Sequence, residues 1–406
     1  MNICLVLFAH GWGGAEALTL GLARNLQLKG ENVTLVLNDE VFKYYADLEG
    51  VELINVGPMT PLPGWTKRPF LYRIVCFPYV RLSSFFYYRR IQKRMEFLRD
   101  RHFDIINPIL EMAAPLVVDL MEKRKIPRVP VVSMIVGEPH LRGIEPTPLR
   151  QRVFIRQVAN KFKQALRKSD RVIAMSNFMI RAWEDQGVYL RYKTTVIIGG
   201  MEVTEMMRYR APAFKNENGF KLLFPGGAKY IKGGDILIKS IPKVKKEIPD
   251  IHVDVALNVP EKSLLRKMVS DLGLEQNVNF VGFLPPREYL TLLSSEDVLT
   301  QISRQDAAGG VFIEAMALGK PIIAGNTGGT PEIIKEGRNG VLVEPETEKI
   351  ADAILYLFKN EDLRKKIGEN NIQDARKYDW SSVINQYIDV YQQVVKDFTP
   401  SMFTKE

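Results

Sequence analysis

The stretch "SRQDAAGGVFIEAMALGKP", residues 303–321, decides the expected fold of the second half of this chain. A glycine pair, Gly309 and Gly310, stands between two carboxylates, Asp306 and Glu314, ahead of a helix rich in small residues. Glycines at a helix start leave backbone N–H groups open to a ligand, and carboxylates accept hydrogen bonds from vicinal hydroxyls. The alternative is a packed turn in which Asp306 only satisfies the charge preference of a helix N-terminus. Because Glu314 lies inside the apolar run "VFIEAMAL", where an unpartnered carboxylate is costly, we favour a site that grips a polyhydroxylated ligand.

Short apolar strands alternate with amphipathic helices along both halves of the chain. The first half contains the helical stretch "AEALTLGLARNLQLKG" and the predicted strands "NICLVLF", "NVTLVL", "DIIN", "VPVVSMIV", "DRVIAMS" and "TTVIIGG". The second half restarts with "FKLLFPGG", "IHVDVAL", "NVNFVGF", "DVLTQIS", "KPIIAG" and "GVLV". Nearly continuous apolar strands separated by helices indicate parallel sheets that are covered on both faces. We predict an α/β chain of two Rossmann-like parallel-sheet domains that face each other across a ligand cleft.

The predicted domain boundaries follow from that restart. Residues 1–205 are the first domain, the polar residues 206–219 with Pro212 are the linker, and residues 220–380 are the second domain. We expect the remaining residues 381–406 to form a C-terminal helix that returns toward the first domain. A length of 406 residues suits two domains of roughly 200 residues each.

Composition excludes several classes of protein. Two cysteines provide neither a disulfide framework nor the spacing of a metal site. No run of about 18 or more apolar residues could span a bilayer. The start "MNICLVLFAH" lacks a basic leader, so we predict a buried strand there rather than a signal peptide. We therefore expect a cytoplasmic protein that can attach peripherally to the inner face of the cell membrane.

A basic segment between Trp65 and Arg101 concentrates the net charge of +9. It contains an apolar helical stripe flanked by basic residues: the stripe is Tyr87, Ile91, Met95 and Leu98, and the flanking residues are Arg89, Arg90, Lys93 and Arg94. A basic amphipathic helix gains about 1 kcal/mol per Lys or Arg at an anionic surface, which favours a lipid-linked or membrane-embedded acceptor. The alternative is that the stripe packs onto the N-terminal sheet while the basic side chains are solvated. We expect no nucleic-acid partner, because the basic cluster is confined to one segment.

The loop "HGWGGAE", residues 10–16, joins the predicted first strand to the first helix. Gly13 and Gly14 would let a diphosphate approach the positive end of that helix. A tight strand-to-helix turn explains the same glycines equally well. A nicotinamide dinucleotide fingerprint requires Gly or Ala at its last position, where this chain has Glu16. The loop therefore matches a nicotinamide dinucleotide site poorly.

The loop in "FPGGAKYIKGGDILIKSI", residues 224–241, repeats this arrangement with two lysines, Lys229 and Lys232. A lysine beside a helix N-terminus provides a point charge for phosphate oxygens. For Lys229, a solvated loop lysine is an equally good interpretation. For Lys232 we favour a functional role.

These motifs together resemble the family 4 retaining glycosyltransferases, which have the GT-B architecture. Their Glu-x(7)-Glu element with a following E-A-M-A-x-G-x-P is similar to Asp306-x(7)-Glu314 and "EAMALGKP", and their G-G-x-x-E is similar to "GGTPE", residues 328–332. Further similar stretches are "NVNFVGFLP", "DVLTQIS", "GRNGVLVEP", "GGAE", "VIAMSNF" and "VIIGGME". The resemblance therefore covers nearly the whole chain.

The resemblance implies a role for each matched residue. Glu314 would bind the ribose hydroxyls of a nucleotide sugar, and Asp306 with the amides of Gly309 and Gly310 would hold the transferred sugar. Lys232 matches the lysine of the family's G-R-x-x-x-x-K-G loop, which neutralises the leaving diphosphate. The glycines of the first loop would contact that diphosphate from the opposite domain. The implied donor-binding residues are Gly13, Gly14, Gly227, Lys229, Lys232, Phe283, Leu284, Asp306, Gly309, Gly310, Val311 and Glu314.

Two donor-side positions depart from the family pattern. Gly227 stands where the family loop has its arginine, so one phosphate cation is missing, and we suggest that Lys229 replaces it. Asp306 is shorter by one methylene than the usual glutamate, which should alter the fit to the sugar.

The residues expected on the acceptor side depart further from the family pattern. The family histidine, in a segment similar to H-E-P-P-R, falls on Gly137 of "VGEPHLR", and Asn107 stands where an alternative family histidine is often found. Glu138 and His140 are the remaining nearby candidates, although each could equally be a loop residue in water. The predicted catalytic residues are Asp306, Lys232, Glu138 and His140.

By this resemblance the chain would be a retaining glycosyltransferase that moves a sugar from a UDP- or GDP-linked donor to a glycan or lipid-linked acceptor. The products would be cell-surface polysaccharide or glycolipid. We expect no cofactor beyond the donor and no metal, since the sequence lacks the Asp-x-Asp of the other main glycosyltransferase architecture. Two alternatives remain open: a nucleotide-sugar epimerase on the same scaffold, and a catalytically silent nucleotide-sugar-binding homologue.

Overall fold

The computed structural model describes residues 1–9, 13–58, 89–136, 149–211, 219–307 and 309–398. Within them, the first domain has a parallel sheet in the order β3-β2-β1-β4-β5-β6-β7. Its strands are β1 Asn2–Leu7, β2 Asn32–Leu37, β3 Glu52–Asn55, β4 Ile105–Ile109, β5 Val132–Ile135, β6 Arg171–Ala174 and β7 Thr194–Val196. The edge strand β3 was not predicted, because its residues are only partly buried and carry no apolar run.

Helices cover both faces of this sheet. They are α1 Gly14–Leu28, α2 Asp39–Phe42, α3 over residues 89–95, α4 Leu110–Glu122, α5 Leu149–Lys168 and α6 Asn177–Glu184, with 3₁₀ turns at Glu96–Asp100 and Arg191–Lys193. Alternate residues of β1 enter different cores, since successive strand side chains point to opposite faces. Leu5 packs with Leu22 of α1, whereas Val6 packs with Leu116 of α4.

The apolar stripe of the basic segment is part of the second of these cores. Ile91, Met95 and Leu98 are 3%, 0% and 2% exposed and pack on the sheet. Tyr87, the fourth stripe residue, lies outside the described residues. The sheet face needs an apolar cover, and the stripe provides it, so the prediction of a stripe available to a membrane is wrong. The flanking basic residues remain exposed: Arg89, Arg90, Lys93 and Arg94.

The second domain has its own parallel sheet, in the order β10-β9-β8-β11-β12-β13 among the described residues. Its strands are β8 Lys221–Phe224, β9 His252–Ala256, β10 Val278–Gly282, β11 Val298–Gln301, β12 Ile322–Gly325 and β13 Val341–Val343. The helices are α7 Val203–Met206, α8 Gly234–Lys245, α9 Leu264–Asp271, α10 Pro286–Ser295, α11 Gly310–Ala317, α12 Thr330–Ile333, α13 Thr347–Lys359 and α14 Glu361–Ala375, with 3₁₀ turns at Met207–Tyr209, Tyr230–Lys232 and Arg376–Tyr378.

The start of the predicted linker is folded. Met206, Met207 and Tyr209, within the predicted linker 206–219, pack on a core cluster of the second domain. The linker prediction rested on polarity and on Pro212, and residues 212–218 lie outside the described residues. The neighbouring residues are mostly polar, so the sequence contained no signal that Met207 and Tyr209 pack on the second domain.

Two segments cross between the domains side by side. The backbone N–H groups of Gly200 and Met201 donate to the carbonyl oxygen of Tyr378 at 2.9 and 3.1 Å. The N–H of Trp380 donates back to the carbonyl oxygen of Met201 at 3.0 Å. These paired backbones join the domains at the end of β7.

The last helix, α15 Trp380–Asp397, packs against the first domain. Trp380, Tyr387 and Tyr391 belong to the core cluster of α1 and the first sheet. The hydroxyl of Tyr391 donates to Oδ1 of Asn107 at 2.6 Å, and Asn107 is fully buried. Asn107 therefore has a packing role inside the first domain. In the described ranges, no helix combines the length and the hydropathy that crossing a membrane requires.

Candidate functional site

Two loops predicted to bind the donor meet at the carboxyl edge of the second sheet. Lys232 ends the 3₁₀ turn after β8, and Asp306 follows β11. Nζ of Lys232 donates to Oδ2 of Asp306 at 2.7 Å, although the two residues are 74 positions apart. Strands β8 and β11 are parallel neighbours, so their carboxyl ends lie at the same edge. The structure thus brings the predicted cation and the predicted carboxylate together.

Asp306 is also held from within its own loop. The hydroxyl of Ser303 donates to Oδ2 of Asp306 at 3.0 Å, and Nε2 of Gln301 donates to that hydroxyl at 2.9 Å. A buried carboxylate requires such partners. Sequence reasoning missed Ser303 and Gln301, whose only signal was the polar ending of the strand "DVLTQIS".

Arg304 connects this loop to the turn that carries Lys232. Its guanidinium carbon lies 3.7 Å from the ring centre of Tyr230, and its backbone N–H donates to the carbonyl oxygen of Ile231 at 2.8 Å. A guanidinium stacked on an aromatic face fixes the relative position of two chain segments. Arg304 was also missed, because a lone arginine in a loop is usually solvated.

The start of α11 faces the segment that joins the domains. A Cβ added to Gly310 would lie 3.8 Å from Sδ of Met201, and one added to Gly309 would lie 2.7 Å from the ring of Phe312. Gly309 stands at the N-cap position of α11 and, as a glycine, provides no side-chain cap, while the N–H of Phe312 donates to its carbonyl oxygen at 3.0 Å. Val311 packs against the core of the second domain. The start of α11 therefore lies at the domain boundary, and the role of its backbone N–H groups stays a prediction.

Glu314 is the fifth residue of this helix and lies partly buried next to Tyr289 of α10. Its Oε2 atom and the hydroxyl of Tyr289 are both buried, and neither forms a hydrogen bond of normal geometry. Burial raises the pKa of Glu314 to about 7, and the neighbouring Tyr289 hydroxyl acts in the opposite direction. A carboxylate whose one neighbouring hydroxyl lies outside normal hydrogen-bond geometry keeps acceptor capacity for an incoming donor group.

The remaining donor-side residues lie around the same sheet edge. Gly227 is buried with φ of +56°, and an added Cβ would lie 3.1 Å from Cβ of Leu257, so the backbone itself disfavours the family arginine there. Lys229 is exposed. After β10, Phe283 is 60% exposed and Leu284 is partly buried.

The glycine loop of the first domain holds a carboxyl group at the start of α1. Glu16 is buried, and burial raises its pKa, while the backbone N–H groups of Glu16 and Gly13 act in the opposite direction. A Cβ added to Gly13 would lie 3.0 Å from Oε2 of Glu16, whereas Gly14 has open space beside it. The helix start predicted for a diphosphate therefore already has a carboxyl group next to Gly13.

The acceptor-side candidates Glu138 and His140 lie outside the described residues, as does Gly137. Their predicted roles therefore stay predictions. Among the described donor-side residues, those of the second domain gather at one edge of its sheet, with Lys232 and Asp306 in direct contact, whereas Gly13 and Gly14 lie in the first domain.

Both domains match a protein-family model. Residues 12–203 match the model described as Glycosyltransferase Family 4, and residues 206–374 match the model described as Glycosyl transferases group 1. The boundary between the two matched stretches falls at α7, where the chain passes from the first domain to the second.

Individual relatives agree with these models. A D-inositol 3-phosphate glycosyltransferase of Corynebacterium glutamicum (strain R) is 28% identical over 179 residues, which cover 42% of this chain and 43% of that protein. The match thus spans less than half the length of that curated relative.

Solved structures match over nearly the whole chain. The Anabaena HepE structure in complex with UDP has a TM-score of 0.74 at 19% identity and covers 97% of this chain and 100% of that chain. Sucrose-phosphate synthase from Thermosynechococcus elongatus has a TM-score of 0.75 at 18% identity, with 98% of this chain and 100% of that chain covered. These likenesses confirm the predicted fold of two Rossmann-like domains in the GT-B architecture.

Proposed function

Because this chain belongs to glycosyltransferase family 4, of the group 1 and GT-B type, we propose that it transfers a sugar from a nucleotide-diphosphate sugar to a glycan or lipid-linked acceptor. The transfer retains the configuration at the anomeric carbon. The products belong to polysaccharide or glycolipid synthesis.

One observation carries the proposal: the contact of 2.7 Å between Nζ of Lys232 and Oδ2 of Asp306 at the carboxyl edge of the second sheet. A cation and a hydrogen-bond acceptor are thereby held side by side, and Asp306 precedes by three residues the N-cap glycine of α11, Gly309. A donor needs both, because its diphosphate is anionic and its sugar carries hydroxyl donors. Asp306 keeps Lys232 at this edge until phosphate oxygens compete for the ammonium group.

The proposed reaction breaks the bond between the anomeric carbon and the leaving phosphate oxygen. The acceptor hydroxyl forms the new bond to that carbon and gives up its proton, and the nucleoside diphosphate leaves with the electron pair. Negative charge grows on the leaving diphosphate, where Lys232 and the positive end of α11, which begins at Gly310, would stabilise it. Since an ammonium group supplies this charge, the proposal includes no metal ion.

The structural neighbours support a UDP-linked donor. Anabaena HepE has been solved in complex with UDP and with UDP-glucose, at TM-scores of 0.74 and 0.73 to this chain. Glu314 would accept hydrogen bonds from the ribose hydroxyls, with the hydroxyl of Tyr289 beside its buried Oε2 atom. Phe283 and Leu284 would line the base side of the site.

The exposed basic side chains of α3 support an anionic acceptor or an anionic surface around it. Arg89, Arg90 and Lys93 are exposed on the first domain, while their apolar neighbours are buried in its core. Such a patch attracts phosphate-bearing substrates through its charge alone.

The test combines ligand-induced thermal stabilisation with product analysis. A ligand at 100 times its Kd adds about 2.7 kcal/mol to the free energy of unfolding, so UDP should raise the Tm of the protein measurably, and GDP should do so less. With UDP-sugars, NMR should detect release of sugar or transfer of it. Lys232→Met should lower kcat by about 100-fold to 1,000-fold. The matched control Lys267→Met, in an exposed ion pair with Asp271, should retain activity.

The same measurements separate the alternatives. An epimerase would convert the donor sugar to its epimer without any acceptor. A silent homologue would be stabilised by UDP yet release no sugar, and Lys232→Met would change only its affinity. Either result would contradict the proposed transfer.

A further inference from the structure

A carboxylate of the second domain holds the start of a first-domain helix. Oε1 of Glu332 accepts a hydrogen bond from the backbone N–H of Phe178 at 2.7 Å, and Oε2 accepts one from the backbone N–H of Asn177 at 2.8 Å. Nδ2 of Asn177 donates to Oε2 as well, at 3.0 Å. Nη2 of Arg181 lies 3.8 Å from Oε1. Both oxygens of one side chain are thus engaged by the opposite domain.

The contact satisfies groups that the helix cannot satisfy itself. The first N–H groups of an α-helix have no intrahelical acceptor and form its positive end. Ser176 accepts from the N–H of Met179 at 3.2 Å, so the first domain caps only that position. Glu332 supplies the acceptors for Asn177 and Phe178, and its negative charge suits the helix end.

The segment that carries Glu332 also packs on the loop of Asp306. The N–H of Gly329 donates to the carbonyl oxygen of Asp306 at 2.7 Å, and the hydroxyl of Thr327 donates to the carbonyl oxygen of Ser303 at 2.7 Å. A Cβ added to Gly328 would lie 2.1 Å from the carbonyl oxygen of Asp306, so there is no room for a side chain. Residues 327–332 therefore lie between the donor-side carboxylate and the start of α6.

We infer that Glu332 is a positioning residue, which fixes the first domain on the donor-site loop so that acceptor-side groups reach the Lys232–Asp306 pair in one orientation. Glu332 ends the "GGTPE" motif, to which the proposed function assigns no task. The catalytic part of this inference rests on the proposed function. Its conformational part concerns only the contact between the domains and is testable without any substrate.

The first variant is Glu332→Gln, which removes the charge and leaves one oxygen to serve two backbone donors. The second is Asn177→Pro, which removes both donors of Asn177 and leaves the backbone N–H of Phe178 as the remaining donor to Glu332. Proline is tolerated at the first position of a helix, and Ser176 before it has the extended ψ of 157° that a following proline prefers. The control is Glu348→Gln, which removes an exposed carboxylate of the second domain that pairs with Lys243.

Two readouts do not need activity. Hydrogen exchange at Asn177 and Phe178 should accelerate by about tenfold or more in Glu332→Gln, while exchange in the cores of both domains stays unchanged. Small-angle X-ray scattering should show a larger radius of gyration for both variants than for the control. Exchange and scattering equal to the wild type in both variants would overturn the inference, whatever the activity.

The kinetic readout distinguishes positioning from folding. In both variants we expect kcat to fall about tenfold or more, while the Kd for UMP stays within about twofold, since UMP contacts only the second domain in the proposed function. The double variant should lose no more than the stronger single variant. Unchanged kcat together with an open scattering profile would show that the contact does not serve catalysis and would also overturn the inference. If the wild type transfers no sugar, the exchange and scattering results still decide the conformational part.

Discussion

The guanidinium of Arg304 and the carboxylate of Asp235 form two parallel hydrogen bonds, Nη1 to Oδ1 at 2.8 Å and Nη2 to Oδ2 at 2.7 Å. Arg304 precedes Asp306 by two positions, and Asp235 follows Lys232 by three. The pair therefore joins the two loops whose side chains meet at Lys232 and Asp306. Both partners are largely buried, which shields the pair from solvent.

Replacing Arg304 by lysine should loosen the donor site without removing its charge. Lysine cannot reproduce the two parallel bonds or the stacking on Tyr230, so we expect the free energy of unfolding to fall by about 1–3 kcal/mol. We expect kcat/KM to fall by about tenfold or more, because Lys232 would lose its fixed position. Urea denaturation and steady-state kinetics measure the two effects.

A matched control exists for this variant. Lys267→Ala removes an exposed ion pair with Asp271, and such pairs contribute less than about 1 kcal/mol. If Arg304→Lys were no more harmful than this control in both measurements, the pair with Asp235 would have no positioning role.

The raised pKa of Glu314, about 7, predicts a pH dependence of nucleotide binding. Only the ionised carboxylate can accept hydrogen bonds from both ribose hydroxyls, and protonation below the pKa removes one of its acceptor sites. From about pH 8 to about pH 6, we expect the Kd for UDP to rise by up to about tenfold. Isothermal titration calorimetry at several pH values provides the measurement.

The control for that titration is Glu314→Gln, which has no proton to gain. It corrects for the titration of the phosphate groups of UDP, which the variant and the wild type share. A pH profile of the variant that parallels the profile of the wild type would contradict a role of Glu314 in binding ribose.

Glu296, at the end of α10, predicts a pH dependence of stability. It is 2% exposed, and burial together with the nearby charges of Asp254 and Asp297 raises its pKa to about 8, which Lys221 partly offsets. The folded protein keeps this proton up to about pH 8, whereas the unfolded chain releases it near the ordinary value of 4.5. Between these values the folded state binds more protons, so the stability of the wild type falls as the pH rises.

Glu296→Gln should therefore gain stability relative to the wild type as the pH rises. Each pKa unit corresponds to about 1.4 kcal/mol, so we expect a relative gain on the order of 2–4 kcal/mol from about pH 5 to about pH 8.5. Urea denaturation at both pH values measures it. Glu288→Gln, at an exposed position of the same helix, should show no such trend. A constant difference between Glu296→Gln and the wild type would mean that Glu296 does not titrate in this range.

The close contact between α1 and the last helix predicts that one methyl group added at Gly21 lowers the stability of the protein. A Cβ added to Gly21 would lie 2.3 Å from Nε1 of Trp380, so Gly21→Ala must displace the indole. Overpacking of this kind costs about 1–3 kcal/mol, although alanine is otherwise the better helix residue. Thermal unfolding should show the loss. Adding Trp380→Phe should recover part of it, and a double variant that loses the full sum would contradict steric conflict as the cause.

Much of this molecule followed from local patterns. The alternation of buried strands and amphipathic helices predicted both sheets, because each strand such as "NICLVL" is apolar on both faces and needs cover on both. The carboxylates around the glycine pair predicted a site for a polyhydroxylated ligand, and the family resemblance implied the role of Lys232; parallel strands place the loops after their carboxyl ends at one edge. Partners that are far apart in the sequence left no comparable signal: no sequence pattern predicts the contact of Arg304 with Asp235 or of Glu332 with Asn177.

The sequence alone therefore determined the architecture of two parallel sheets, because periodicity and turn chemistry act over a few residues. Only the tertiary structure decided which surfaces are free. Ile91, Met95 and Leu98 have the same helical spacing whether they face a lipid or a sheet, and the first sheet buries them. Likewise, the two oxygens of Glu332 become acceptors for α6 only when the domains pack together. A hydrogen bond depends on the distance between two atoms in space, and the order of residues along the chain does not specify that distance.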